Sequence, residues 1–197
     1  MILKRIFDLI FASILLITLT PLLIIIAMAV KFNSKGSVFY VQRRIGKNGS
    51  DFNLFKFRTM YEFSDRAGLL TIGYADFRIT TVGYWLRKYK LDELPQLINI
   101  IIGDMSFVGP RPEVSKYVAI YSVQQLRVLS VKPGLTDWAS IKYFNENELL
   151  ATAEDPERLY VNTILPSKIF QNLEYIDNRN FLMDIRIILS TLKRLLK

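Results

Sequence analysis

Apolar residues fall into distinct patterns along this chain. From Leu9 to Val30 they run without a charge, as LIFASILLITLTPLLIIIAMAV. That length is close to the about 20 residues a helix needs to cross a hydrocarbon core of about 30 Å. Thr20-Pro21 stands in the middle of the run. Proline removes a backbone donor and crowds the carbonyl four residues back, which kinks a helix. A nearby threonine hydroxyl can satisfy a freed carbonyl. Ser37 to Met60 holds two β-prone runs joined through Lys47-Asn48-Gly49, and Asn-Gly is a hairpin signal. Thr80 to Lys90 reads as a short amphipathic helix capped by threonine. Asp92 to Met105 reads as a helix start followed by an apolar body, with Gly103 as its stop. In Asn180 to Lys197, Phe181, Ile185, Ile188, Leu192 and Leu196 share one helical face. Arg186, Lys193, Arg194 and Lys197 lie off that face.

The charges beside the first run leave three readings open. In a cleaved signal peptide, Lys4 and Arg5 would form the basic region and Ala27-Met28-Ala29 the cleavage site, but the apolar run exceeds the usual about 7–15 residues. A plain transmembrane anchor meets a charge conflict. Lys4 and Arg5 precede the run, while Lys31, Lys35, Arg43, Arg44 and Lys47 follow it, and both flanks favour the cytoplasmic side. A re-entrant hairpin broken at Thr20-Pro21 satisfies both flanks. Each half is about 15 Å long, enough to dip in and return but not to cross. Tyr84 and Trp85, beside Arg87, Lys88 and Lys90, suit a membrane–water interface or an ordinary surface helix.

Composition narrows the chemistry. The chain has 197 residues, a formal net charge of +8 and 51% hydrophobic residues, enough for one domain with a real core. It contains no cysteine and no histidine. Disulfides, thiolate nucleophiles, the usual general base and the usual zinc ligands are therefore excluded. Any nucleophile comes from Asp, Glu, Ser, Thr, Tyr or Lys. Any metal should be hard and oxygen-bound, such as Mg²⁺. The positive charge points to an anionic partner: nucleic acid, anionic lipid or a phosphorylated small molecule.

Against that background the acidic pair Asp92-Glu93 in LDELPQL has two readings. Asp92 caps a helix, with Glu93 favoured by the helix dipole. Alternatively, the helix N-terminus keeps the carboxylate ionised and holds phosphate nearby, making Asp92 a nucleophile toward phosphorus. Glu93 could then hold Mg²⁺. In GDMSFVGPRPEV, Pro110 and Pro112 stiffen the backbone around Arg111, which suits bidentate phosphate binding. In VKPGLTDWAS, Trp138 is a stacking platform or, by default, core.

Taken together, KRIFDLI, the proline-broken apolar run, FKFRTM, LRKYKLDELPQLINIIIGDMSFVGPRPEV, VKPGLTDWASI and YIDNRNFLMDIRIILSTL closely resemble the small monotopic phosphoglycosyl transferases, the bacterial sugar transferase family. The match covers nearly the whole chain. The resemblance implies a helix-rich α+β fold and a monotopic membrane protein. It would have an N-terminal re-entrant helix-break-helix, a small β-hairpin and interfacial amphipathic helices. Residues 1–32 would form the membrane element and 33–197 one continuous catalytic unit.

The implied reaction moves a phosphosugar from a UDP-sugar to a polyprenyl phosphate, typically undecaprenyl phosphate, and releases UMP. It starts glycan or polysaccharide assembly. The implied mechanism is Mg²⁺-dependent and ping-pong. Asp92 is the nucleophile and Glu93 the metal ligand. Lys56 and Arg58 of FKFRTM, Arg87, and Arg111 with Pro110 and Pro112 contact substrate phosphate or nucleotide. The enzyme would sit in the bacterial inner membrane with its catalytic part on the cytoplasmic face, and the chain would be the minimal catalytic form. A homodimer is left open.

Two positions depart from the family pattern. Phe144 stands where the family often has a phosphate-binding arginine, for which Lys142 is a candidate substitute, and Asp137 stands where glycine is common. The sugar is not legible, with an N-acetylated donor mildly preferred. The competing readings are a non-catalytic membrane adaptor on anionic lipid and a tethered nucleic-acid binder. No nucleic-acid motif supports the latter.

Overall fold

The computed structural model describes residues 2–64, 70–73 and 76–196. Lys197, assigned above to the polar side of the last helix, lies outside the described residues. The apolar N-terminal run forms one helix, α1 (Ile2–Asn33). Its helical backbone passes through Thr20-Pro21 without interruption. Pro21 cannot donate to the Ile17 carbonyl. The Thr20 hydroxyl does not replace that donor; it bonds the neighbouring Leu16 carbonyl at 2.7 Å. The expected backbone break is thus a single missing hydrogen bond inside a continuous helix.

One stripe of α1 faces protein. Ala12 and, in partial burial, Phe7, Phe11, Leu15, Leu16 and Leu19 pack into the main core, with Leu54, Leu97, Ile100, Met105, Phe107, Tyr175 and Ile187. Ile26 and Val30 pack into a smaller core with Phe57 and Leu86. The rest of α1 is bare and apolar: Ile10, Ile14, Ile17, Ile24 and Ile25 are each more than half exposed. An apolar ridge of this extent marks an interaction surface.

Both ends of α1 are tied to the same body. Lys4 donates to the Val108 carbonyl at 2.9 Å and to Asp184 at 2.6 Å. Arg5 donates to the Ile100 and Ile101 carbonyls at 2.6 and 2.9 Å. Asp8 accepts the Phe107 N–H at 3.2 Å. KRIFD is therefore a docking plug rather than a generic basic flank. At the other end Val30 is buried and Lys31 donates to Gly36 O at 3.3 Å.

The hairpin forms where the Asn-Gly signal puts it. β1 (Phe39–Ile45) and β2 (Asp51–Phe57) pair antiparallel, Phe39 opposite Phe57 through Ile45 opposite Asp51. Asn48 and Gly49 turn the chain at φ 57 and 77, values these two residues tolerate best. α2 (Thr81–Lys88) is capped by Thr80, whose hydroxyl accepts the Gly83 N–H at 2.9 Å. Gly83 is required, because a Cβ there would lie 2.0 Å from the Thr59 carbonyl oxygen. A 3₁₀ turn (Leu91–Glu93) then leads through Pro95 into α3 (Gln96–Ile102), which stops at Gly103 with φ 108.

A two-stranded parallel sheet was not legible in the sequence. β3 (Ser106–Val108) pairs with β4 (Gly134–Thr136). The two chains cross so closely that a Cβ on Gly134 would meet the Gly109 nitrogen at 2.1 Å. Short helices α4 (Ser115–Val118), α5 (Trp138–Lys142), α6 (Glu146–Ala151) and α7 (Pro156–Leu159) follow. A π-helical turn (Tyr160–Ile164) leads into α8 (Leu165–Asn178), and α9 (Phe181–Leu195) ends the described fold. Its buried residues are Asp184 and Ile187; of the face expected above, Ile188 packs against the main core and Phe181 meets the Phe7 ring edge-on, while Leu192 and Leu196 are 50% and 89% exposed. α9 is apolar on two sides, so periodicity alone does not select the one that meets the protein.

Candidate active site

Asn99 sets the floor of the site. It is fully buried; its Oδ1 accepts the Phe55 N–H at 3.0 Å and its Nδ2 donates to Asn53 O at 2.7 Å. These bonds stitch α3 to the edge of β2. The turn before α3 consequently faces Lys56 on β2. Lys90 enters this turn in the left-handed conformation, φ 56 and ψ 20. A non-glycine residue adopts that conformation at a cost, and such strain clusters at functional sites.

Asp92 and Glu93 are 7% and 9% exposed, yet their surroundings differ. Glu93 receives both Nη atoms of Arg111, one of them at 3.0 Å to Oε2, and Lys56 Nζ at 3.2 Å. Burial would raise its pKa, but the Arg111 charge, then Lys56, holds the carboxyl well below the usual range. Asp92 has no such clamp. Its Oδ1 is buried and has no hydrogen-bond partner. Burial, then the Glu93 charge, raises its pKa. The pair is thus split into a locked anion and a loose, more basic carboxylate. Asp92 does not cap a helix: Pro95 occupies the cap of α3 and no side chain bonds there.

Arg111 is held from several sides. Asp137, 1% exposed, accepts the Arg111 N–H on Oδ2 at 2.8 Å and the Ser140 N–H on Oδ1. One carboxylate therefore caps α5 and fixes the Pro-Arg-Pro loop. Arg44 donates to Pro112 O at 3.0 Å, and Tyr160 donates to Glu113 at 2.7 Å. Pro110 and Pro112 do not line the cavity beside the dyad; with Ile45 and Tyr121 they line a small void behind it.

The cavity in front of the dyad measures about 520 Å³, within the range of small-molecule sites. Lys56, Arg87, Lys90, Arg111, Lys168 and Arg194 bring cations to it. Phe11, Leu15 and Leu19 of α1 and Ile188, Leu192 and Leu195 of α9 supply an apolar wall. One cavity therefore joins a cluster of cations to the membrane-capable helix.

Of the residues expected from sequence, Lys56, Arg87, Asp92, Glu93 and Arg111 meet here. Arg58 does not. Its guanidinium is buried on the Ser34 and Lys35 carbonyls at 2.8 and 2.7 Å, where it anchors the turn after α1. Lys142 also points elsewhere, donating to Ser167 at 3.1 Å. Phe144 instead has Lys90 Nζ 5.1 Å and Arg194 Cζ 5.2 Å from its ring centre. Trp138 packs against the main core. Sequence reasoning missed the positioning role of Asp137, although an aspartate three residues before Ser140 is a cap signal. It also missed Lys90, Lys168 and Arg194 as wall residues, for which no local signal exists. No group of three metal-binding side chains occurs among the described residues.

The family model described as bacterial sugar transferase matches residues 1–197. The chain belongs to the bacterial sugar transferase family. The similarity to individual transferases is extensive. The chain is 38% identical over 206 residues to the undecaprenyl-phosphate glucose phosphotransferase of Komagataeibacter xylinus, covering 97% of this chain and 35% of that protein. It is 39% identical over 199 residues to the UDP-glucose:undecaprenyl-phosphate glucose-1-phosphate transferase of Xanthomonas campestris pv. campestris, covering 98% and 38%. It is 39% identical over 198 residues to the uncharacterized sugar transferase EpsL of Bacillus subtilis, covering 100% and 88%. The chain thus spans little more than a third of the two named glucose transferases.

Proposed function

We propose that this sugar transferase moves a phosphosugar from a UDP-sugar to a polyprenyl phosphate, releasing UMP, through a covalent intermediate on Asp92. The observation that carries the reading is the buried, unpartnered Asp92 Oδ1, on a cavity walled by both cations and the membrane-capable helix. A buried carboxylate without a hydrogen-bond partner, facing cations in a cavity, is poised to act as a nucleophile.

In the first step an Asp92 oxygen attacks the β-phosphorus. The bond from that phosphorus to the bridging oxygen breaks, and UMP leaves with the electron pair. In the second, an oxygen of the lipid phosphate attacks the same phosphorus and Asp92 departs as carboxylate. The raised pKa makes the ionised Asp92 a better nucleophile. Arg111 and Lys56 keep Glu93 anionic and hold it aside, so that Asp92 alone reacts. Arg87 lies where it can meet substrate phosphate.

The donor set suits a hard cation. Mg²⁺ commonly binds one or two carboxylates together with substrate phosphates, and the free Asp92 oxygen beside Glu93 fits that pattern. Glu93 accepts two cations on Oε1 but only one Arg111 bond on Oε2, so Oε2 has the lone pair that would hold Mg²⁺, which when bound neutralises phosphate charge.

The membrane part of the proposal is a re-entrant α1 that enters and leaves on one side by bending at Pro21 rather than by a break in the helix, with the following residues on the cytoplasmic face of the inner membrane. Two features support it. Both ends of α1 are tied to one body, and its other side is bare and apolar. Trp85 and Tyr89, about half exposed and stacked 6.1 Å apart, suit the interface.

Two relatives are named for glucose, so UDP-glucose heads the donor panel, ahead of the N-acetylated sugars. The test is UMP release by purified protein with Mg²⁺, each UDP-sugar and undecaprenyl phosphate. Wild type should turn over with one donor class, and Asp92→Asn should lose at least 1,000-fold, about 4 kcal/mol of barrier. Asp92→Asn with wild-type turnover would end the proposal.

A further inference from the structure

Most charges on the cavity wall are already paired. Lys56 and Arg111 hold Glu93, and Lys168 holds Glu146 at 2.6 Å. Among the described residues Arg87, Lys90 and Arg194 are not, and of these three Arg87 has a side-chain hydrogen bond, to Thr59 Oγ1 at 3.4 Å. Neither Lys90 nor Arg194 has an ion-pair partner among the described residues, although both line the cavity. They come from distant parts of the chain, the turn before Asp92 and the last helix, and converge on the Phe144 ring at 5.1 and 5.2 Å. Both distances fall within the reach of cation–π attraction, about 6 Å. The Arg194 Nε is buried without a hydrogen-bond partner. Lys90 is directed by a left-handed backbone at φ 56.

The Glu93 and Asp92 charges act on Lys90, but among the described residues neither cation is bonded to a carboxylate and a buried donor is unused, so the pair has capacity for an added anion. A guanidinium and an ammonium at the wall of a nucleotide-sized cavity match a phosphate group. We propose that Lys90, Phe144 and Arg194 form a clamp for a substrate phosphate, with the ring fixing the two cations in place. The identification of that phosphate rests on the proposed reaction, which brings two sources to the cavity: the donor diphosphate and the lipid phosphate. The clamp itself rests on the geometry alone.

The test uses the full chain in detergent micelles. Calorimetric titrations with uridine diphosphate and with farnesyl phosphate probe the two sources separately. The variants are Arg194→Gln, Arg194→Lys, Phe144→Leu and Lys90→Gln, with Arg186→Gln as an exposed control on the same helix. Arg194→Gln should weaken one of the two probes at least 10-fold and leave the other within 2-fold. Arg194→Lys should recover part of the loss, Phe144→Leu should weaken the same probe, and Arg186→Gln should match wild type.

In turnover, KM for the matching substrate should rise while kcat stays within 3-fold. A loss confined to uridine diphosphate assigns the donor; a loss confined to farnesyl phosphate assigns the acceptor. Unchanged binding of both probes would overturn the clamp. So would equal loss of both with a lowered melting temperature, which marks a collapsed site. A protein inactive with every donor that still shows the Arg194-dependent binding would sink the proposed reaction and keep the clamp.

Discussion

Asp137 joins the Pro-Arg-Pro loop to α5 through one carboxylate. It is a buried carboxylate with two backbone donors, Arg111 N–H at 2.8 Å and Ser140 N–H. Asp137→Ala removes the cap of α5, at a cost of about 1 kcal/mol. It also leaves the Arg111 N–H without its acceptor, costing about 1–3 kcal/mol more. The sum is about 2–4 kcal/mol, and at about 2–4 °C per kcal/mol for a chain of this size the melting temperature should fall by about 4–16 °C. Asp137→Asn keeps one acceptor oxygen and should cost roughly half of that. Both variants should lose more activity than stability alone explains, because Arg111 loses the tether that aims it at Glu93. We expect kcat/KM to fall about 10-fold or more below the melting range, equal to about 1.4 kcal/mol. The assays are thermal unfolding in one detergent and UMP release at 20 °C. Asp137→Ala melting with wild type would refute the two-bond argument. A destabilised Asp137→Ala with full activity would refute the tether.

Other consequences follow from the same geometry. Asp92 reacts as its anion and its pKa is raised, so activity should fall as pH drops through a value above that of an ordinary aspartate, while Glu93 stays ionised throughout. A carboxyl with a raised folded-state pKa binds more protons folded than unfolded, so it destabilises the fold as pH rises through that range. Asp92→Asn should therefore melt above wild type at neutral pH, and the gap should close toward acid pH; a variant that melts lower at pH 7.5 would contradict the reading of Asp92. Arg58 lies outside the cavity, so Arg58→Ala should lower the melting temperature yet leave KM for both substrates within 2-fold. A selective rise in either KM would return Arg58 to the site.

How far the sequence carried depended on the range of the interactions. The hairpin was legible because Asn48 and Gly49 adopt the positive φ that their types tolerate, and α2 because Thr80 caps it locally. Gly103 ends α3 for the same local reason. What failed was non-local. β3 and β4 are three residues each and meet only because Gly109 and Gly134 let two backbones cross. Lys4 and Arg5 look like a basic flank until Asp184 and the Ile100 and Ile101 carbonyls come to them from far along the chain. Arg58 sits in a basic strand motif, but its neighbours are the carbonyls of the turn after α1. The dyad was visible as a pair. Its asymmetry, one carboxylate clamped and one bare, depends on Arg111 and Lys56 arriving from two other elements.

The covalent step is the central claim, and intact-protein mass spectrometry tests it most directly. Purified protein is incubated with Mg²⁺ and UDP-glucose, then with other UDP-sugars, without any lipid acceptor. The account predicts a phosphosugar mass adduct with stoichiometric UMP release, both absent in Asp92→Asn and both discharged by undecaprenyl phosphate. Turnover only when lipid is present, with no adduct on any donor, would contradict the aspartyl intermediate.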